Sequence, residues 1–581
     1  MTIIQQLEKD LVTAFDKLNF DKALAIIGPS GREGADYQCN ACFSLAKSLG
    51  KKPLDLAEAI AKIFKSKLAT IEVSPPGFLN LILTDEALVK MGNGVLKSKA
   101  LPLAPQEKRT VFFDYGGANV AKELHIGHLR SPIIGEALRR VFSAFGHKTI
   151  SDVYLGDWGL QMGLVIAELE REEAEGRKHE ITLDLLNVIY PRASKRKDTD
   201  ATFRARAEDI TKRLQDLEEP FFGIWKKMRK VSVDKIKENY EVLNCKFDYY
   251  NGESDAQKYV DIVLEHLKKL KLAYVHNGSL IMDIAEEGEH VPIPKKSPDE
   301  PQRFERPMPP ILLQKGNGGD LYATSDVATI WYRHKNHKPD EFIYIVDVRQ
   351  DLHFRQVFRT VKKGQIVPET TKFVHVGYGT MNGADGRPFK TRAGGTIKLE
   401  EVFTMISEAA KRKLIESGRT SDEETARKIG LAALKFADLS NSVRRDYVFD
   451  LDKFTSFEGK TGPYLLYTVA RINSILEKAE NMQTGTEILF PPNKLVGRDI
   501  FISVLRLADS FAGAMANYTL NGIVDSVYQL AQVFNNFYAT TRILGEEDKQ
   551  LREYYLSLCQ LTKIAIEFAL DKLGIDTVEK M

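Results

Sequence analysis

Two histidines three residues apart, His125 and His128 with Gly127 between them, are the residues whose types and spacing point most directly to chemistry. A β-type run, Val111–Phe113, passes through glycines into them. An apolar-periodic segment that reads as a helix follows, so the imidazoles fall near a helix N-terminus. Such an end offers unpaired backbone N–H groups and the positive end of the helix dipole, both of which attract phosphate. The imidazoles add donors that can carry charge, and Gly127 lets a flat base approach the backbone closely. Metal ligation and plain polar surface are the competing readings of two histidines one turn apart. Asn119 and Lys122 upstream, with Arg130-Ser131 downstream, favour the phosphate reading.

The elements that must position this pair follow a recognisable order. From about residue 107 to 440, strand-like runs alternate with helix-like ones, the pattern of a doubly wound parallel sheet whose ligands sit beyond the carboxyl ends of the strands. Thr149–Tyr154 reads as a strand leading into Leu155–Gly163, where glycines around Asp157-Trp158 fit a pocket wall and a structural corner equally well. Residues near 170–240 read as a charged helical insertion. Its basic clusters, Ser194–Lys197 and Lys226–Lys230, are either a solvated helix face or a patch for RNA phosphates. Phe247–Ser254 reads as a strand and turn, Pro292–Pro310 as loop, and Leu321–Asp326 as the lead into a helix with Asp326 in its first turn. Phe342–Asp347 and Phe373–Val376 read as strands. Met381–Gly395 sets glycines on both sides of basic residues, the composition of a mobile, cationic loop.

Residues 1–106 read as a small α+β domain, with helices over Ile3–Leu18 and Pro53–Phe64, strands at Ile71–Val73 and Phe78–Leu83, and a linker at Pro102–Gln106. Residues 441–581 read as an all-α bundle, most of whose aromatics are expected in its core and some of which could stack on unpaired bases. The expected fold class is therefore multidomain α/β: a Rossmann-like parallel-sheet catalytic domain between an N-terminal α+β domain and a C-terminal helix bundle.

Composition bounds the rest. In 581 residues with 43% hydrophobic and 28% charged side chains the net charge is only +2, so any nucleic-acid surface must be local. Four scattered cysteines fit a reducing compartment rather than a disulfide framework. Cys39 and Cys42 have the spacing of a metal knuckle, but no second pair follows, so no structural metal is expected. The N-terminal segment lacks the uninterrupted apolar run of a signal peptide, and no stretch is long enough to span a bilayer; a cytoplasmic location is expected.

Taken together, His125-Ile126-Gly127-His128, its flanks and the basic glycine loop resemble the class I aminoacyl-tRNA synthetases, and the arginyl-tRNA synthetases of bacterial type in particular. The resemblance covers nearly the whole chain. It implies formation of arginyl-adenylate and pyrophosphate from L-arginine and ATP, with Mg2+ accompanying ATP, then transfer of arginine to the terminal adenosine of tRNA(Arg). It implies ATP contacts from His125, Gly127, His128 and Lys390, with Lys122 and Arg392 adding charge. The usual second signature lysine is replaced in Pro388–Arg392, and Lys122 would supply that charge. Arginine contacts are implied at Asp114, Asn119, Glu253, Tyr322, Asp326 and Gln350, because a planar guanidinium fork is selected by fixed carboxylates. Gly116-Gly117-Ala118 stands where many relatives have Ser-Ser-Pro, which removes a serine contact. The N-terminal domain would touch the tRNA elbow and the bundle the anticodon, in a monomer; the tRNA-binding residues themselves stay unassigned. The rival readings are another nucleotidyltransferase with the same histidine signature, acting without RNA, and a non-catalytic RNA-binding relative.

Overall fold

Thr2 opens the first helix with a capping box: its hydroxyl accepts from the Gln5 N–H while the Gln5 side chain accepts from the Thr2 N–H. That helix, α1 (Ile3–Lys17), buries Leu7, Leu11 and Phe15 one turn apart. The structure, a computed structural model, describes residues 2–293, 301, 303–315, 322–383, 386, 397–419, 422–479 and 495–581. Strands β1 (Gly28–Pro29), β2 (Tyr37–Cys39), β3 (Ala69–Ser74) and β4 (Phe78–Leu83) form an antiparallel sheet in the order β1-β2-β4-β3. Helices α2 (Ala41–Leu49), α3 (Pro53–Ile63) and α4 (Asp85–Ser98) complete the N-terminal α+β unit.

The central unit is built on β5 (Thr110–Asp114), whose Val111, Phe112 and Phe113 are all buried because both faces of this strand are covered. It is followed by α5 (Arg130–Ala144) and β6 (Lys148–Asp152). An insertion of α6 (Leu160–Ala174), α7 (Leu183–Thr199), α8 (Ala201–Gln215) and α9 (Phe221–Val242) comes next, with its own apolar core. After α10 (Glu253–Lys269), β7 (Ala273–His276), β8 (Ser279–Met282) and β11 (Ile311–Gln314) form an antiparallel sheet. Between them β9 (Val291–Ile293) pairs with β10 (Arg303–Arg306), so the stretch that reads as loop contains a strand pair, obscured in the sequence by its prolines. Then come α11 (Tyr322–His337), β12 (Glu341–Asp347), α12 (Asp351–Lys363) and β13 (Lys372–Tyr378). The central sheet has the order β13-β12-β5-β6 with every pairing parallel. Connections leave β5 in opposite directions, toward β6 on one side and β12 on the other, which opens a crevice at their carboxyl ends.

Two expectations need correction. Residues 247–252 are not a strand but a loop that touches the sheet edge through the single bridges Asp152↔Tyr249 and Leu155↔Gly252, and Glu253 already opens α10. Asp326 sits one turn inside α11 rather than in its first turn, since the described helix begins at Tyr322.

The last third comprises β14 (Met381–Asn382), α13 (Leu399–Glu416), α14 (Glu423–Ser440), β15 (Tyr447–Val448), α15 (Leu451–Phe454), α16 (Gly462–Ala479), α17 (Arg498–Asn517), α18 (Asn521–Thr540) and α19 (Lys549–Lys572). Helix α14 packs on α5 as well as on α16 and α18, so bundle packing runs across residue 440. Arg130 at the start of α5 is fully buried: it donates to Asp438 at 2.8 Å and to the Gly379 carbonyl at 2.7 Å. The N-terminal unit is fastened to the bundle by Arg498, which grips Asp36 at 2.8 and 2.7 Å, and by Tyr37, which donates to Asp509.

One buried ion cluster holds the crevice open. Asp114 and Asp152 end adjacent parallel strands directly opposite one another, and both are buried. Arg333 of α11 lies between them, donating to Asp114 at 2.6 Å and Asp152 at 2.9 Å, over the rings of Phe112 and Tyr154. Removing the shared cation leaves two facing buried carboxylates, so Arg333→Met is expected to cost about 3–5 kcal/mol of stability. Thermal unfolding at neutral pH reads this as a lowered midpoint, partly restored by adding Asp114→Asn; an unchanged midpoint would count against the clamp.

Candidate active site

The chain from Asp114 to Ser131 borders two cavities. It leaves β5 through Gly116, whose φ of +75° and tight fit under Tyr240 and Phe247 suit a residue without Cβ. Ala118 to Val120 then bonds to Gly156, which places Asn119 at the crevice. Ile126–His128 forms a single 3₁₀ turn immediately ahead of α5, so the histidines do lie at a helix N-terminus. Within it the Gly127 N–H donates to His125 Nδ1 at 3.1 Å and the His125 N–H donates to His128 Nδ1 at 3.1 Å. With Nδ1 occupied as acceptor, each neutral ring carries its proton on Nε2. A Cβ at Gly127 would lie 2.9 Å from the His125 ring, a second reason for glycine there. The imidazole centroids are 4.0 Å apart. Burial pushes both imidazoles down, with Lys122 adding to the effect on each, and His128 falls to about 3. At neutral pH they are therefore uncharged donors, not the charged ones that the sequence allows.

A cavity of about 610 Å³ occupies the crevice and is lined by Asp114, Asn119, Glu253, Tyr322, Asp326 and Gln350, the six residues expected to hold arginine. Ser131, Tyr154, Tyr344, Asp347, Arg349, His353 and Tyr378 complete much of the wall. One expectation changes in kind: Asp114 is engaged by Arg333, so it supports the wall instead of standing free for a ligand. Asp347 is likewise occupied by Arg349 at 2.8 and 2.6 Å. Among the described residues no lysine or arginine pairs with Glu253 or Asp326. Asp326 instead faces His353, with Nε2 to Oδ2 at 2.5 Å. Burial, reinforced by the negative charges of Asp157 and Asp326, pushes the Glu253 carboxyl up to about 8. His353 belongs to the Gln350–His353 segment, but nothing in the sequence assigned it a partner; only the fold brings α12 against α11.

Lys122 and His125 line a second cavity, of about 640 Å³, with Tyr190, Lys195 and Asp198 of the insertion and Lys398. Lys390 and Arg392 lie outside the described residues. The residues that follow them, Ile397 to Leu399, run beside the histidine turn: the Ile126 N–H donates to the Ile397 carbonyl and the Leu399 N–H to the Leu124 carbonyl, both at 3.0 Å. Asp157-Trp158 proves to be a structural corner. Trp158 packs edge-on against Trp225, and Asp157 accepts from Arg229 and Ser254. Two basic residues of the insertion are used internally, Arg229 in that corner and Arg196 on Glu168. A third hollow, about 830 Å³, lies in the terminal bundle and is lined by Tyr467, Arg471, Lys478, Tyr538, Arg542 and Met581, among others. There the Arg471 guanidinium sits 4.7 Å from the Tyr467 ring and 5.0 Å from that of Tyr538. Among the described residues no group of three or more His, Cys, Asp or Glu could hold a metal ion, and no helix is long and apolar enough to cross a membrane.

Three family models match consecutive parts of the chain: the arginyl tRNA synthetase N-terminal domain at residues 1–83, the class I (R) tRNA synthetase catalytic domain at 92–451 and the DALR anticodon binding domain at 465–581. The chain is 40% identical to the arginine–tRNA ligase of Alkaliphilus oremlandii and 36% identical to that of Agathobacter rectalis, over all of both chains in each case. Its fold is similar to that of arginyl-tRNA synthetases from Plasmodium falciparum, at a TM-score of 0.84, and Thermus thermophilus, at 0.80. Each is 23% identical, with both chains covered completely.

The raised Glu253 carboxyl would make binding of a cation in the crevice proton-linked. In the ligand-free protein it holds its proton up to about pH 8, whereas in the unfolded chain it ionises near its ordinary value of 4.5, so its burial costs stability progressively as pH rises between those two values. A bound guanidinium reverses that cost only when the proton leaves. Affinity for arginine should therefore rise with pH up to about 8 and then level off, with a proton released on binding below that point. Calorimetry in buffers of different ionisation enthalpy measures the release; an unaltered proton count in Glu253→Gln would contradict the assignment.

Proposed function

Because the chain belongs to the class I arginyl-tRNA synthetases, we propose that three of its cavities divide the work of one reaction: arginine in the crevice, ATP across the histidine turn, and the anticodon at the bundle. The chain is an ATP-dependent arginine–tRNA ligase, which activates arginine and joins it to tRNA for protein synthesis. The observation that carries the site assignment is the crevice itself, where Glu253 and Asp326 lie without a lysine or arginine partner among the described residues in a cavity that also takes in Asn119, Tyr322 and Gln350. A cationic ligand with a planar fork of donors fits that deficit, while a neutral or acidic side chain would leave the carboxylates uncompensated.

In activation the arginine carboxylate attacks the α-phosphorus of ATP and pyrophosphate leaves, a step that needs positioning and charge relief and no protein nucleophile. The Nε2–H groups of His125 and His128 donate to phosphate oxygens, Gly127 leaves room for the base, and Lys122 supplies fixed positive charge. ATP enters as its magnesium complex. Lys390 and Arg392 are assigned the far side of the phosphates, a reading supported by the run of Ile397–Leu399 along the histidine turn. Arginine then passes to the 3′-terminal adenosine of tRNA(Arg). Of the proposed domains, residues 107–440 catalyse, 441–581 take the anticodon and 1–106 contact the tRNA. Tyr538, 41% exposed and next to Arg471, gives a flat face on which an unpaired base can stack. The enzyme is assigned to the cytoplasm as a monomer. Four free, buried cysteines support the reducing compartment.

His128→Ala is expected to lower aminoacylation by about 10²–10³-fold, the cost of one transition-state donor, while tRNA affinity by filter binding stays within a factor of two or so. Near-wild-type turnover would refute the role. Asp326→Asn should raise the KM for arginine by about 30-fold or more and leave the KM for ATP nearly unchanged, since it uncouples one charged pair. ATP–pyrophosphate exchange in the presence of tRNA separates the two constants. Tyr538→Ala should weaken tRNA binding by about 1–3 kcal/mol, the contribution of one stacked base, with arginine and ATP constants intact. An unchanged tRNA dissociation constant would remove the hollow from consideration.

A further inference from the structure

We propose that His353 is a positioning residue for arginine selection: it fixes the Asp326 carboxylate so that one oxygen faces the guanidinium in a set plane. The proposal rests on the assignment of Asp326 to the guanidinium and goes beyond it by naming what makes that carboxylate selective.

His353 stands in the first turn of α12, just beyond the carboxyl end of β12, and lines the same cavity as Asp326. Its Nε2 is 2.5 Å from Asp326 Oδ2, and because an ionised carboxylate can only accept, the imidazole donates. The ring is itself held, edge-on against Phe354 at 5.2 Å between centroids. At the other end of the interaction Asp326 is set by α11, which is pinned two turns further on by Arg333 and one turn on by Thr329, whose hydroxyl bonds to Tyr154. Both partners are thus anchored through separate elements, and the short hydrogen bond between them removes the rotation about χ2 that would otherwise leave the carboxylate plane free. Oδ2 is engaged, and Oδ1 is the oxygen left to the ligand.

An imidazole suits this task because it reaches Asp326 with a single N–H from a ring that is held in place, whereas a lysine or arginine would extend into the ligand's place. The effect falls on selectivity because a planar guanidinium depends on the orientation of its acceptor, while a compact ammonium, as in lysine, responds to charge alone. Loosening the carboxylate therefore weakens arginine more than it weakens lysine.

The test uses the full-length chain with tRNA and ATP–pyrophosphate exchange as readout. His353→Ala is expected to raise the KM for arginine about tenfold or more, with kcat and the KM for ATP within about threefold, and to reduce discrimination of arginine over lysine. His353→Gln, whose carboxamide can present an N–H near the position of Nε2, should recover most of the loss. In an Asp326→Asn background, His353→Ala should add little, since its partner is already altered. A wild-type KM for arginine in His353→Ala overturns the proposal, as does a full additional effect in the Asp326→Asn background or equal losses for arginine and ATP. If Asp326→Asn itself leaves the KM for arginine unchanged, the assignment of the cavity fails instead. If Asp326→Asn raises it and His353→Ala does not, only the positioning role fails.

Discussion

The geometry of the crevice depends on one guanidinium that belongs to the protein. Parallel pairing puts Asp114 and Asp152 side by side at the ends of β5 and β6, an arrangement that like charges oppose and burial worsens. Arg333 resolves it by bonding to both. The consequence reaches beyond the cluster, because Arg333 shares one face of α11 with Tyr322, Asp326 and Thr329, at steps of four, three and four residues. Locking Arg333 between the strands and Thr329 against Tyr154 fixes the rotation of the helix, and that rotation turns Asp326 and Tyr322 toward the cavity. A structural salt bridge at the back thereby sets the carboxylate proposed to bind the ligand at the front.

Charge accounting explains why such a cavity would prefer a cation. Asp347 is matched by Arg349, and Arg333 is shared by Asp114 and Asp152, which leaves Glu253 and Asp326 without lysine or arginine partners among the described residues. Burial, with the negative charges of Asp157 and Asp326 adding to it, pushes the Glu253 carboxyl up, so the ligand-free site keeps a proton there. A guanidinium replaces that proton with a charge and with directional donors together. Selection then requires no steric barrier against smaller side chains: those without positive charge fail to offset the desolvated acids, and those with a compact charge do not reward the fixed carboxylate plane.

Much of this was legible in the chain because the informative residues sit in short local segments. The histidine pair signals itself within a few residues, while Glu253, Tyr322, Asp326 and Gln350 are named through the family resemblance of their short segments, and the fold places these four on one cavity. What escaped depends on long-range pairing. That Asp114 would be engaged by Arg333 cannot be read from either segment, since 219 positions separate them. The same holds for His353 against Asp326, and for Ile397–Leu399 beside the histidine turn. The pairing of β9 with β10 was hidden for a different reason: prolines break the alternation by which short strands are recognised. Lys390 and Arg392 remain readings of the sequence.

The histidine turn adds a different lesson, about which groups carry charge. Two imidazoles with centroids 4.0 Å apart and half removed from water would repel strongly if both were protonated; burial keeps them neutral, and the backbone N–H groups on each Nδ1 set which ring nitrogen carries the proton. What remains are two neutral Nε2–H donors of fixed direction, with Lys122 close enough to lower the proton affinity of both rings. In the proposed reaction this separates two tasks. The lysine attracts the triphosphate at any stage, whereas neutral donors bind the ground state modestly and gain most as negative charge grows on the phosphate oxygens during displacement. Only an interaction that strengthens on the way to the transition state accelerates the chemistry. Neutral donors of fixed direction are arranged to strengthen in that way, because an N–H···O bond tightens as negative charge grows on the accepting phosphate oxygen.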